Sequence, residues 1–294
     1  MRNTIVVISL LLMIITLFPG CQQHATSPED ERYSYPLTIG NRWEFERDYV
    51  FYEYQDSISV SPPVDSMVGH DSSSVFVLQE ITLFDTLETI QLIQQTWLDT
   101  GVTGEPHPQL ITGTYYYQEN ETGLFLVGYD AGYMMIMPKQ TATQHPVIIG
   151  PPIGPPSGKL LPANYFTRVS KTAENDVYFE DPPVHVLQYP IEPGAHWNYR
   201  EPHEPFHMAR TVRGDTTITV PGGTFSCTAI DWHWDRDHDG EWDRTLTGTD
   251  YLAPEGIVKR VILWHSAPVA GEDRQRYLSG RDVYQCTRLE VQTD

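Results

Sequence analysis

The chain has 294 residues, a formal charge of −20, and 40% hydrophobic residues including seven Trp and seventeen Tyr. A balance this acidic excludes nucleic acid as a partner and excludes electrostatic attachment to an anionic bilayer. The apolar content supports a real core, and the length suits two domains.

At the N-terminus, Arg2 supplies a short positive start, and Thr4 to Leu17 is an apolar run too short to span a membrane as a helix. It closes in Leu17-Phe18-Pro19-Gly20-Cys21, which resembles a bacterial lipobox, although Phe18-Pro19 departs from its usual residues. The resemblance implies a signal peptide over 1–20 and lipidation of Cys21. It places the protein in a bacterial cell envelope, on the outer membrane, facing the periplasm or the surface. Residues 21–32 are polar and aperiodic, as a flexible tether would be. With Cys21 acylated, Cys227 and Cys286 remain as an even pair in an oxidising compartment, and a disulfide between them is expected.

A phrase then occurs twice. Tyr35-Pro36-Leu37-Thr38-Ile39-Gly40-Asn41-Arg42-Trp43-Glu44-Phe45 is matched by Tyr189-Pro190-Ile191-Glu192-Pro193-Gly194-Ala195-His196-Trp197-Asn198-Tyr199, at an offset of 154 residues. Pro sets an extended entry, Gly permits a turn, and Trp-x-aromatic puts two rings on one face of a strand. Repetition at this spacing suggests two related units. We place them at 33–183 and 184–294, with the boundary near Asp181-Pro182-Pro183.

Strand signals dominate both units. The first unit reads as strands at Arg42–Tyr54, Ser74–Thr82, Thr89–Leu98, Thr114–Gln118 and Leu124–Tyr129, with weaker ones at Tyr133–Met137 and Tyr165–Ser170. Ile81 to Trp97 has some helical character, but Asp85, Asp99 and the Thr spacing favour a hairpin. Residues 138–162 are proline-dense and read as an exposed loop. Within it Gly154 to Leu160 lacks the spacing and the Ser or Thr of a phosphate-binding loop. The second unit reads as strands at Ala209–Val212, Asp215–Val220, Thr224–Trp234, Glu241–Asp250, Gly256–Trp264, Arg274–Ser279 and Tyr284–Val291. The expected fold is all-β: two tandem antiparallel meander units, as an open half-barrel or sandwich-like, with few or no helices.

Two turn motifs, Val220-Pro221-Gly222-Gly223-Thr224-Phe225-Ser226-Cys227 and Tyr251-Leu252-Ala253-Pro254-Glu255-Gly256-Ile257-Val258-Lys259, accompany the Tyr-Pro phrase. The second is echoed at Tyr117 to Phe125. Together they resemble a group of secreted bacterial lipoproteins of unassigned function. That resemblance implies a β-rich meander and an envelope location, and it supplies no catalytic residue.

Asp235-Arg236-Asp237-His238-Asp239-Gly240-Glu241-Trp242-Asp243 reads D-x-D-x-D-G-x-x-D. Asp235, Asp237 and Asp239 would be oxygen ligands of calcium, Gly240 the sharp turn, Glu241 a carbonyl ligand, and Asp243 a direct or water-mediated ligand. Leu246 stands where an EF-hand has its bidentate Glu, so a remote ligand such as Asp250 would be needed. The competing reading is a two-residue hairpin at Asp239-Gly240, with Arg236 opposite Asp243 and Asp235 opposite Arg244. His203-Glu204-Pro205-Phe206-His207 fits the H-E-x-x-H of zinc hydrolases, but Pro202 and Pro205 break the helix that chemistry requires. Trp232, Trp234 and Trp242 flank the acidic turn, either as a carbohydrate platform or as core. The expectation is a non-enzymatic lipoprotein with an unidentified protein or carbohydrate partner; the alternative is a zinc-dependent hydrolase.

Overall fold

In the computed structural model, residues 33–55, 61–83, 85–98, 109–130, 177–200, 207–235, 238–269 and 276–292 are described. They form twelve strands. In the first half these are β1 (Arg42–Tyr54), β2 (Asp65–Leu83), β3 (Leu87–Leu98), β4 (Gln109–Asn120), β5 (Gly123–Asp130) and β6 (Val177–Gln188). In the second they are β7 (His196–Arg200), β8 (His207–Val220), β9 (Gly223–Asp235), β10 (Leu246–Ala253), β11 (Gly256–Val269) and β12 (Arg276–Glu290). The described residues contain no helix.

All strands join one antiparallel sheet in the order β6-β5-β4-β3-β2-β1-β12-β11-β10-β9-β8-β7. Each half is a meander of chain-consecutive strands, and β1 pairs with β12 to join them. The free edges, β6 and β7, come back together without a ladder. Side chains bridge them instead: Trp197 Nε1 donates to the His185 carbonyl at 3.1 Å, and Arg200 forks onto Glu180 at 2.8 and 3.2 Å. The sheet is therefore a nearly closed barrel.

Size explains the aromatic composition. Eight strands enclose a space that ordinary side chains fill, and twelve enclose more. Trp43, Trp197, Trp232, Trp234 and Trp264, with Tyr49, Tyr115, Tyr117 and Tyr199, occupy it as one cluster. Charged residues share it. One cross-strand row runs Asp71, Arg47, Tyr284, Arg260, Asp250 over β2, β1, β12, β11 and β10. Arg47 bonds Asp282 at 2.7 and 2.9 Å and Asp71 at 3.2 Å. Asp250 accepts from Arg260 at 2.6 and 3.0 Å and from Arg210. Three arginines thus meet three aspartates, the condition under which buried charges persist. Burial draws Arg210 down to about 10, against the pull of Asp250.

Several boundaries differ from the sequence reading. The two segments read before and after Arg213 are one strand, β8, because Gly214 at φ 135° absorbs a bulge. Likewise β12 unites two predicted strands. The unit boundary at 183/184 falls inside β6. There the register against β5 jumps from Val184 opposite Leu126 to Phe179 opposite Gly128, so Asp181, Pro182 and Pro183 ride in a bulge. β10 starts at Leu246 rather than Glu241. The hairpin preferred over a helix for 81–97 forms, turning at Asp85 with φ 58°. The weaker strands at 133–137 and 165–170 and the proline-dense 138–162 lie outside the described residues, as do the signal segment and Cys21.

Candidate functional site

Register builds the candidate site on the outward face of β7, β8 and β9. His196 pairs with Thr211, Thr211 with Asp231, Ala209 with His233, and His207 with Asp235. Because side chains alternate along a strand, these residues share one face. Trp197, Arg210, Trp232 and Trp234 are turned to the core. The two motif regions singled out in the sequence, around His207 and around Asp235, are therefore neighbours.

Residues 238–245 fold back over this face. The Trp242 ring centroid lies 4.7 Å from that of His207, 5.5 Å from His233 and 6.3 Å from His196. Thr211 Oγ1 sits 2.9 Å from His196 Nδ1 and 3.0 Å from His233 Nε2. One hydroxyl proton serves one neutral imidazole, so the other imidazole donates to the oxygen. His207 Nε2 donates to Asn198 Oδ1 at 2.9 Å. Burial pushes His233 below its ordinary value, with Asp231 opposing and His196 adding to the shift.

The acidic motif sits on the same loop. Asp235 is 4% exposed, and its Oδ2 accepts the Gly240 N–H at 3.2 Å. Asp239 Oδ1 accepts the Glu241 N–H at 2.8 Å. Asp243 donates its N–H to the Trp234 carbonyl at 2.6 Å. Asp237 and Arg236 lie outside the described residues. The two-residue hairpin at Asp239-Gly240 is not formed, because β9 ends at Asp235 and β10 begins at Leu246. Asp250 is no remote ligand for this loop: it is buried on the core side against Arg210 and Arg260. Among the described residues, no three His, Cys, Asp or Glu side chains stand together as a ready metal site.

Other expectations resolve more simply. Of the three tryptophans, Trp232 and Trp234 stack on each other in the core, 5.9 Å apart, and only Trp242 is exposed. His207 opens β8 instead of closing a helical turn, while His203 and Glu204 lie outside the described residues. Cys227 and Cys286, expected as a disulfide, are both buried free thiols. Their S–H groups face the backbone carbonyls of Phe225 and Arg288. Burial pushes both thiols up to about 11, so the reactive thiolate is scarce at neutral pH. The histidine and Trp242 cluster was missed in the sequence. His196, His207 and His233 have no shared spacing, and only strand register brings them together.

No family model matches the chain, and no curated protein matches it. Three solved structures align with it over nearly their whole length. A Bacteroides fragilis protein described as exported, with a YmcC-like fold, gives a TM-score of 0.36 at 10% identity, covering 88% of this chain and 99% of that one. A Parabacteroides distasonis protein described as a lipoprotein gives 0.33 at 13% identity, with 88% and 99% covered. A β-barrel-like protein of a domain of unknown function from Brucella abortus gives 0.35 at 10% identity, with 87% and 99% covered.

Proposed function

We propose that this is a lipid-anchored protein of a bacterial cell envelope whose role is binding or structural, not catalytic. The observation that carries the reading is the position of Cys21. It ends the apolar run from Thr4 to Leu17 and is followed by the polar residues 22–32, after which the β-barrel begins. An acylated Cys21 would hold the barrel at a membrane, and the tether would let it stand clear of the surface. A net charge of −20 keeps such a domain soluble and away from anionic headgroups. The one hydrolase motif is poorly placed for its chemistry, since His207 lies in a strand and is engaged by Asn198 and Trp242.

The test is acyl labelling of the wild type and of Cys21→Ala in a Gram-negative host, with membranes separated by density. The wild type should incorporate labelled lipid and sediment with the outer membrane. The variant should lose both properties. Label that persists on the variant, or a wild type recovered free of membranes, would remove the reading.

A further inference from the structure

The chain enters the barrel at one rim and is pinned there. The Tyr35 N–H is shared between Glu119 Oε1 at 2.9 Å and the Tyr189 hydroxyl at 3.0 Å, and Ser34 Oγ donates to Glu119 Oε2 at 3.0 Å. Glu119 lies at the end of β4, on the rim that also carries the short turns after β4, β8 and β10. Towards the opposite rim, the outward face of β1 to β4 is apolar. Val68 is 67% exposed, Trp97 46%, Leu110 44% and Tyr52 40%. Register gathers them on one side: Val68 lies opposite Val50, Tyr52 follows Val50 on the same face, and Trp97 stands between Leu110 and Ser72. Between the two groups, His70 and Asp48 bond each other at 2.9 Å. Single exposed apolar residues need no explanation, but a Trp, a Tyr, a Leu and a Val collected on one side mark a contact surface.

We propose that the barrel lies with this β1–β4 side against the lipid bilayer that anchors Cys21, with Trp97 and Tyr52 at the level of the headgroups. The proposal rests on the acylation of Cys21. The chain between anchor and barrel names the occupant of the surface. Residues 22–32 reach about 36–40 Å when fully extended. The 13 residues of β1 span about 43 Å. A barrel standing on its far rim would use most of that reach, whereas a barrel on its side keeps the pinned Tyr35 close to the bilayer. Trp and Tyr suit the boundary of headgroups and chains, since each is an apolar body with one polar group. Charge selects the lipid: at −20 the contact is apolar, and the surface it meets is zwitterionic. In the ring of twelve strands, β7 to β9 stand across from β1 to β4. Trp242 and the histidines beneath it therefore face away from the membrane.

The acylated protein, purified in detergent from a Gram-negative host, is reconstituted into phosphatidylcholine vesicles. Flotation reads the anchor, and tryptophan emission reads the contact. Trp43, Trp197, Trp232, Trp234 and Trp264 are buried in the core, so Trp97 and Trp242 are the two that a quencher in the lipid separates. Replacing the lipid by dibrominated phosphatidylcholine should quench the wild type. Trp97→Phe should remove most of the bromine-sensitive emission, and Trp242→Phe should leave it in place. Val68→Glu combined with Leu110→Glu, both at exposed positions, should still float and should lose most of the quenching; if that variant does not fold, the comparison of Trp97→Phe with Trp242→Phe decides. Flotation without quenching overturns the proposal and leaves the anchor standing. Quenching that survives Trp97→Phe and vanishes in Trp242→Phe overturns it as well, because the other side then meets the lipid. So does quenching undiminished in the double Glu variant. An unquenched wild type that dimerises with concentration in detergent assigns the face to a second copy and overturns it. A wild type that does not float removes the anchor and the proposal with it.

Discussion

The barrel has two seams where its halves meet, and they are built differently. At one, all 13 residues of β1 pair with β12, with a single bulge between Glu44 and Phe45. At the other, β7 has 5 residues and makes no ladder with β6. Yet both strands begin in the same way. Gly40 at φ 95° and Gly194 at φ 87° occupy the same turn. Gly40 N–H bonds the Val77 carbonyl at 3.0 Å, and Gly194 N–H bonds the Val212 carbonyl at 2.8 Å. The repeated phrase therefore sets where a meander starts and does not set how long its first strand runs. Strand length is decided by the residues downstream of the phrase. β1 continues through Arg47-Asp48-Tyr49-Val50-Phe51 without a breaker, whereas β7 meets Glu201-Pro202 directly after Arg200. Across the gap, Pro182 and Pro183 in β6 have no N–H to donate. Each side of the open seam carries its own reason for staying open, and side chains are left to hold it.

The largest effect expected from this difference is at the laddered seam. Asp282→Ala leaves Arg47 buried with only Asp71 as a charge partner. Breaking one member of a buried ion cluster costs about 3–5 kcal/mol. Urea denaturation should show that loss as a lower midpoint at similar slope. Arg200→Ala at the open seam should cost far less, about 1 kcal/mol, because its bond to Glu180 lies at the rim with 11% of each side chain exposed. Equal losses would mean that the two seams carry equal weight and that the missing ladder matters little.

Hydrogen exchange sharpens the same contrast without mutation. Amides of β1 and β12 are flanked by ladders on both sides and should exchange only on global unfolding. Those of β7, held by β8 alone, should exchange first among the strands, by local opening. Uniform protection across both seams would contradict the picture.

The two seams also differ in how far the sequence could reveal them. β1 was legible to the residue, because aromatic and β-branched residues recur along it with no Gly or Pro to break the strand. β6 was not, because Asp181-Pro182-Pro183 reads as a boundary and becomes a bulge only when β5 is present to pair on either side of it. The candidate site was legible in pieces. The acidic motif is a local pattern, so it could be seen. The histidine cluster under Trp242 is set by register across three strands and has no local pattern. The buried cluster of arginines and aspartates was invisible for the same reason: Arg47 and its partner Asp282 are 235 residues apart.

The smallest expected effect concerns pH, and the two sides should answer with opposite sign. His185 in β6 stacks on Phe125 at 4.5 Å, and its carbonyl receives the Trp197 indole. Burial lowers its pKa from the ordinary 6.5. A base whose folded pKa is depressed is bound neutral, so the unfolded chain takes up protons first. The stability this gives is complete above pH 6.5 and is lost as pH falls through the depressed folded value. His70 in β2 is the opposite case: its hydrogen bond to Asp48 of β1, at 2.9 Å, raises its pKa from 6.5. Its contribution is present below pH 6.5 and disappears as pH rises through the raised value, and exposure to solvent keeps it small. His233 is depressed like His185, so the wild type should lose stability on mild acidification. His185→Gln should flatten that acid limb, and His70→Gln should steepen it slightly. Denaturation midpoints measured across pH 5 to 8 (the range over which histidine ordinarily titrates, about 6.5 at its centre) make the check. A steeper acid limb in His185→Gln would show that the imidazole at the open seam is protonated in the native state, and that this seam is wetter than its packing against Phe125 implies.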